Sequence, residues 1–156
     1  MDAKVIWKEG LSFTATSDSG FHLNLGADES VGGANDGFRP LELMLISLIG
    51  CTAMDVISIL QKKRQDVTGF EVAGHAERAS EHPRVMTRAV VEYSIKGHGM
   101  AESAVRRALE LSAVRYCSAQ GMLSKVMPIE LNYFIYEDEG DGKQSLASKG
   151  VYEKTL

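Results

Sequence analysis

The sequence predicts an α+β fold with the element order βββ-α-ββ-α-β. Three observations predict it. Apolar and polar residues alternate with period two in the first 25 residues and again in three later stretches. A long apolar run begins directly after Pro40, where proline is pre-organised to open a helix. Between the later strands, apolar residues recur every fourth position, the mark of an amphipathic helix.

The first 25 residues divide into three short strands: Val5-Ile6-Trp7, Leu11 to Ala15, and Phe21, Leu23 and Leu25 alternating with His22 and Asn24. Glu9-Gly10 and Asp18-Ser19-Gly20 supply the turns. Residues 26–38 form a loop rich in Gly, Asp and Asn, a composition common in functional segments. The first helix is predicted over about 40–64, with Lys62-Lys63-Arg64 in its last turn, where cations complement the dipole. Strands follow at about 67–78 and 84–96, joined by Ser80-Glu81-His82-Pro83. A second helix is predicted over about 101–116, with Ala101, Val105, Leu109, Ala113 and Cys117 on its buried face. A short helical turn at about 120–125 and a strand through Ile129, Leu131, Tyr133 and Ile135 complete the pattern. One domain is expected at residues 1–137, and a loosely ordered tail at 138–156.

Bulk properties narrow the function. The 156 residues carry a net charge of −4, which argues against a nucleic-acid surface. The most apolar run, Leu43 to Met54, is bounded by Glu42 and Asp55 and is short for a membrane span, which needs roughly 20 residues. A core helix, no membrane association and a cytoplasmic location are expected. A helix apolar on nearly every face must be covered on all sides, and in a chain this short that calls for a second subunit. The four histidines (His22, His75, His82 and His98) show no i,i+4 pair and there is no Cys-x-x-Cys, so no zinc site and no cofactor is expected. The Gly32-Gly33 loop lacks the Gly-Lys-Ser/Thr of a phosphate cradle, and Ser47 has no predicted base partner.

Only two cysteines occur, Cys51 in the apolar helix and Cys117 at the end of the second helix. In a reducing compartment, thiols that pair do so transiently and for catalysis. The Gly-rich loop, the helix start Arg39-Pro40-Leu41-Glu42-Leu43, the run Gly50-Cys51-Thr52-Ala53-Met54-Asp55 and the second cysteine in Tyr116-Cys117-Ser118 together resemble the OsmC/Ohr family, in its OsmC-like branch. These are the osmotically inducible protein C and organic hydroperoxide resistance proteins, and the resemblance runs from about residue 3 to 136. It implies antiparallel sheets packed around a long buried cysteine helix in an intertwined homodimer with active sites at the interface. It also implies thiol-dependent reduction of organic hydroperoxides, with Cys51 peroxidatic and Cys117 resolving, and Arg39 and Glu42 as accompanying site residues. Leu45, Leu48 and Met54 are then candidate walls for an alkyl chain, and a small dithiol or lipoylated protein is the implied reductant.

The residues depart from the better-understood peroxidases of that family in two places. Residues 10–30 hold no arginine, and Leu41 stands where those enzymes carry a glutamate, with Glu42 one position later. Arg39 lies 12 positions before Cys51, roughly 18 Å along a helix axis. Glu42 falls on the face opposite Cys51, which suits a helix-terminal charge equally well. Ser47, Cys51 and Asp55 form a polar stripe at four-residue spacing. An ionised Asp55 opposes a thiolate one turn away unless a cation neutralises it, and Arg78, Arg88 and Arg115 are the candidates. These departures keep open a second reading, a non-catalytic module that binds an apolar ligand or senses redox state on the same scaffold.

Overall fold

A computed structural model describes residues 1–152 and divides the chain into two compact units, Met1–Met44 and Leu45 onward. The first unit holds an antiparallel three-stranded sheet of β1 (Ala3–Glu9), β2 (Ser12–Ser17) and β3 (His22–Leu25), in that order. After β3, a single 3₁₀ turn at Glu29–Val31 is capped by the Asp28 carboxylate, which accepts the Ser30 N–H at 2.9 Å. The predicted loop at 26–38 is thus a folded segment. Its backbone is tied back to β3 by hydrogen bonds from Gly26 N–H to Phe38 and from Phe38 N–H to Asn24.

Helix α1 runs from Pro40 to Lys62. At 23 residues, with a mean hydropathy of 2.2 over its most apolar 18, it has the length and composition of a membrane span. Within this chain it is a packed helix covered along one stripe only. Leu48, Thr52, Val56 and Leu60 are buried, while Ile46 and Met54 stay exposed.

The second unit is built on a four-stranded sheet in the order β4 (Asp66–Arg78), β5 (Met86–His98), β6 (Ile129–Gly140) and β7 (Lys143–Tyr152). β4–β5 and β6–β7 are antiparallel hairpins, whereas β5 and β6 run parallel because a helical crossover joins them. Alternation along β5 and β6 turns Ala89, Val91, Tyr93, Ile95, Leu131, Tyr133 and Ile135 into the core. Helix α1 lies against this face. It comes close at Gly74 of β4, where a Cβ would stand 2.6 Å from Ile49 Cγ2. Helix α2 (Glu102–Leu111) contributes Ala104, Val105, Ala108 and Leu109 to the same core. Its Glu102 carboxylate accepts hydrogen bonds from Tyr133 Oη and Ser148 Oγ, both at 2.6 Å, which fixes the helix start over β6 and β7.

Two expectations are corrected. The stretch expected as a loose tail contains the end of β6 and all of β7, an edge strand in register with β6 from Gly140↔Lys143 to Leu131↔Tyr152. Residues 153–156 of that expected tail lie outside the described residues. The second helix is also not α-helical to residue 116. It widens to a π-helical segment at Ser112–Tyr116, and helix α3 (Ser118–Leu123) then starts directly after Cys117.

Candidate active site

The second unit brings together two sequence segments that are far apart. On α1, Cys51, Thr52 and Asp55 fall within one turn, with Cys51 and Asp55 one above the other at i,i+4. Facing them is the π-helical segment. Its wider turn is closed by the Cys117 N–H donating to the Ser112 carbonyl at 3.0 Å, an i→i−5 bond. The extra residue turns Ser112 fully inward and carries Cys117 to the end of the segment.

The result is a compact cluster. Cys51 Sγ, a carboxylate oxygen of Asp55 and Cys117 Sγ all lie within 4.8 Å of one another. Cys117 is buried and Cys51 half-buried. Cys117 also caps α3: its sulfur accepts the Gln120 N–H at 3.3 Å. Burial, a hydrogen bond with the Cys51 thiol and the charges of Cys51 and Asp55 push the Cys117 thiol up to about 12, against the opposing pull of the Gln120 N–H.

Behind the thiols runs a hydrogen-bonded chain with Thr52 at its hub. Thr52 Oγ1 shares hydrogen bonds with Tyr93 Oη at 2.6 Å and with Ser112 Oγ at 2.9 Å. Ser112 Oγ in turn donates to Asp55 Oδ2 at 3.0 Å. Thr52, Tyr93 and Ser112 are fully buried, so each hydroxyl depends on the others. Burial raises the Tyr93 hydroxyl above its ordinary range, which keeps it a neutral phenol. Asp55 therefore takes its partner from a serine. The three arginines considered for it are engaged elsewhere: Arg78 with the Arg84 carbonyl, Arg88 with Glu77 and Glu130, and Arg115 over the Tyr116 ring at 5.6 Å. The network was hidden in the sequence because its hub, Thr52, meets a tyrosine 41 residues and a serine 60 residues further along the chain.

Arg39 and Glu42 belong to the first unit. The Arg39 guanidinium donates to the Gly37 carbonyl at 2.9 Å and to Asn35 Oδ1, and it faces Asp28 Oδ2 at 3.6 Å. Glu42 Oε2 accepts the Arg39 backbone N–H at 2.9 Å, the reach-back of a residue at the third helical position to the cap. Of the expected alkyl-chain walls, Leu48 is fully buried in the core, Leu45 is half-buried and Met54 is exposed.

A long apolar helix carrying one thiol, with a second thiol delivered beside it by a π-distorted helix over a mixed sheet, defines a two-cysteine α+β protein. A family model described as OsmC-like protein matches residues 33–132. Protein YhfA of Escherichia coli K12 is 39% identical over 133 residues, covering 85% of this chain and 96% of that protein. The chain belongs to the OsmC-like protein family. Among solved structures, an OsmC-like protein from Mycoplasma pneumoniae superposes with a TM-score of 0.72 at 18% identity, over 86% of this chain and 95% of its own. An organic hydroperoxide resistance protein OsmC from Legionella pneumophila does so with a TM-score of 0.64 at 11% identity, over 86% and 94%. At these identities the two structures show the common fold.

Proposed function

We propose that this chain is a cysteine-dependent organic hydroperoxide reductase, with Cys51 peroxidatic and Cys117 resolving. The observation that carries the reading is the meeting of the only two cysteines, 66 positions apart in sequence, with both sulfurs within the 4.8 Å cluster. A disulfide needs the sulfurs at about 2.05 Å, a gap to be closed by movement of the two side chains. In the first step the Cys51 thiolate attacks the outer peroxide oxygen. Cys51 becomes a sulfenic acid, and the released alkoxide takes a proton to leave as an alcohol. In the second step Cys117 attacks the sulfenic sulfur, the disulfide forms and water leaves. Burial of Cys117 suits that order, because a thiol held protonated waits for the more reactive sulfenic acid. An external dithiol or lipoylated protein then restores both thiols. The structural neighbour from Legionella pneumophila is named an organic hydroperoxide resistance protein, which supports the substrate class.

The working form in this proposal is a cytoplasmic homodimer. Uncovered apolar surface supports it: β1 exposes Val5, Ile6 and Trp7, and α1 exposes Ile46 and Met54. One set of contacts favours the second reading, a binding or redox-sensing module. Arg39 is held within its own loop by Asp28, Asn35 and Gly37, and Glu42 serves as a helix cap.

The test is trapping. The reduced Cys117→Ser variant, given one equivalent of an alkyl hydroperoxide with dimedone present, should carry the dimedone adduct at Cys51. Absence of the adduct while peroxide persists would refute the peroxidase reading and leave the binding module.

A further inference from the structure

We infer that Cys51, Asp55 and Cys117 form a binding site for one thiophilic divalent cation, of which Zn²⁺ is the best match. The donor set fits that ion: two thiols and a carboxylate are zinc ligands, and thiolates select it over hard cations. The geometry is close to what is needed. Ligands at about 2.3 Å (sulfur) and 2.0 Å (oxygen) around a tetrahedral centre are roughly 3.5–3.8 Å apart. The three donor atoms already lie within 4.8 Å of one another, so contraction by about 1 Å encloses an ion.

The supporting shell is in place as well. Cys51 and Asp55 sit at i,i+4 on one helix face, the spacing by which helices present paired metal ligands. Asp55 Oδ2 is oriented by Ser112 Oγ at 3.0 Å, and Ser112 is fully buried and held by Thr52. The Cys117 sulfur accepts the Gln120 N–H at 3.3 Å, a bond that strengthens when the sulfur becomes a metal-bound thiolate. Outer partners of this kind fix ligand orientation in metal sites. Three protein ligands leave the fourth position to water or an anion, and half-buried Cys51 keeps that side open. The sequence hides the site because Cys117 lies 62 residues beyond Asp55 and 66 beyond Cys51.

Binding replaces the two thiol protons, which leave to solvent, and changes no oxidation state. A consequence follows that rests on the proposed peroxidase cycle: the Cys51–Cys117 disulfide offers no thiolate, and metal-bound thiolates are withheld from peroxide. Metal occupancy and turnover then exclude each other.

The test is anaerobic titration of the fully reduced chain with Co²⁺, followed by Zn²⁺. One Co²⁺ per chain should bind with a thiolate-to-cobalt charge-transfer band and tetrahedral visible absorption, and Zn²⁺ should bleach both. Cys51→Ser and Cys117→Ser should each lose about half of the charge-transfer intensity, and Asp55→Asn should weaken binding by about tenfold or more. Ser112→Ala, which removes no ligand, should weaken it by about tenfold while melting as a folded protein. Absence of the charge-transfer band, or binding unchanged by Cys117→Ser, would overturn the site. The titration contains no peroxide, so its result stands whether or not dimedone trapping succeeds. Failed cobalt binding beside a working disulfide cycle would remove the metal site alone.

Discussion

Replacing Thr52 with valine isolates the buried hydroxyl network, because valine keeps the shape and removes only the oxygen. Ser112 retains Asp55 as its acceptor at 3.0 Å. Tyr93 loses the 2.6 Å bond to Thr52 Oγ1, and at 0% exposure it has no water to turn to. Orphaning one buried polar group costs about 1–3 kcal/mol. Taking about 2 kcal/mol, and roughly 2–4 °C per kcal/mol for a chain of this length, Thr52→Val should lower Tm by about 4–8 °C. The double variant Thr52→Val/Tyr93→Phe removes both ends of the bond and strands neither. It should be more stable than Thr52→Val alone, by about 1 kcal/mol. Urea unfolding of the wild type, both single variants and the double variant, at fixed protein concentration, measures this cycle. A Thr52→Val cost below about 0.5 kcal/mol, or a double variant as unstable as the two singles added together, would refute the network.

Three further outcomes are expected. Gly74→Ala places a Cβ 2.6 Å from Ile49 Cγ2 and 3.2 Å from Leu45 Cδ1; thermal melting should show about 1–3 kcal/mol of destabilisation from overpacking between α1 and β4. The Asp138 carboxyl is held down to about 2 by Thr68, the Gly140 N–H and Lys96. Because its folded value lies below the unfolded one, its stabilisation is present above about pH 4 and is lost as pH falls toward about 2. In Asp138→Asn, acid unfolding should therefore lose part of its steepness in that window, and an unchanged acid limb would contradict the assignment. Cys117 is buried, and that burial, which raises its thiol, remains when Cys51 is replaced; in Cys51→Ser it should therefore alkylate with iodoacetamide more slowly than a free cysteine does at pH 8.5. Equal rates would show that the thiol is not protected.

Much of the fold can be read from local patterns. Period-two alternation marks β1 to β6, and Pro40 opens α1 because its fixed backbone suits the first helical position. β7 is harder to read, since Lys143 to Tyr152 is mostly polar and an edge strand packs little of its surface. One signal for it is present. Asp141-Gly142 connects β6 to β7 as a two-residue turn with φ of 51° and 76°, the positive pair that Asp-Gly favours in hairpins. The candidate site is half legible. Two cysteines on two helices stand out in the sequence, but their meeting depends on the π-helical widening at Ser112–Tyr116, which no apolar period reveals. The sequence also invites an arginine partner for Asp55. The fold supplies the Ser112 hydroxyl, because Arg78, Arg88 and Arg115 are engaged elsewhere.

If Cys51 and Cys117 act as one redox pair, the intact mass of the protein will report it. Fully reduced protein should receive one equivalent of an alkyl hydroperoxide, with free thiols counted in parallel. Both thiols and about 2 Da should be lost rapidly, without a dimer-linking disulfide, and none of this should occur in Cys51→Ser. Thiols that persist for minutes with the mass unchanged would contradict the redox pair.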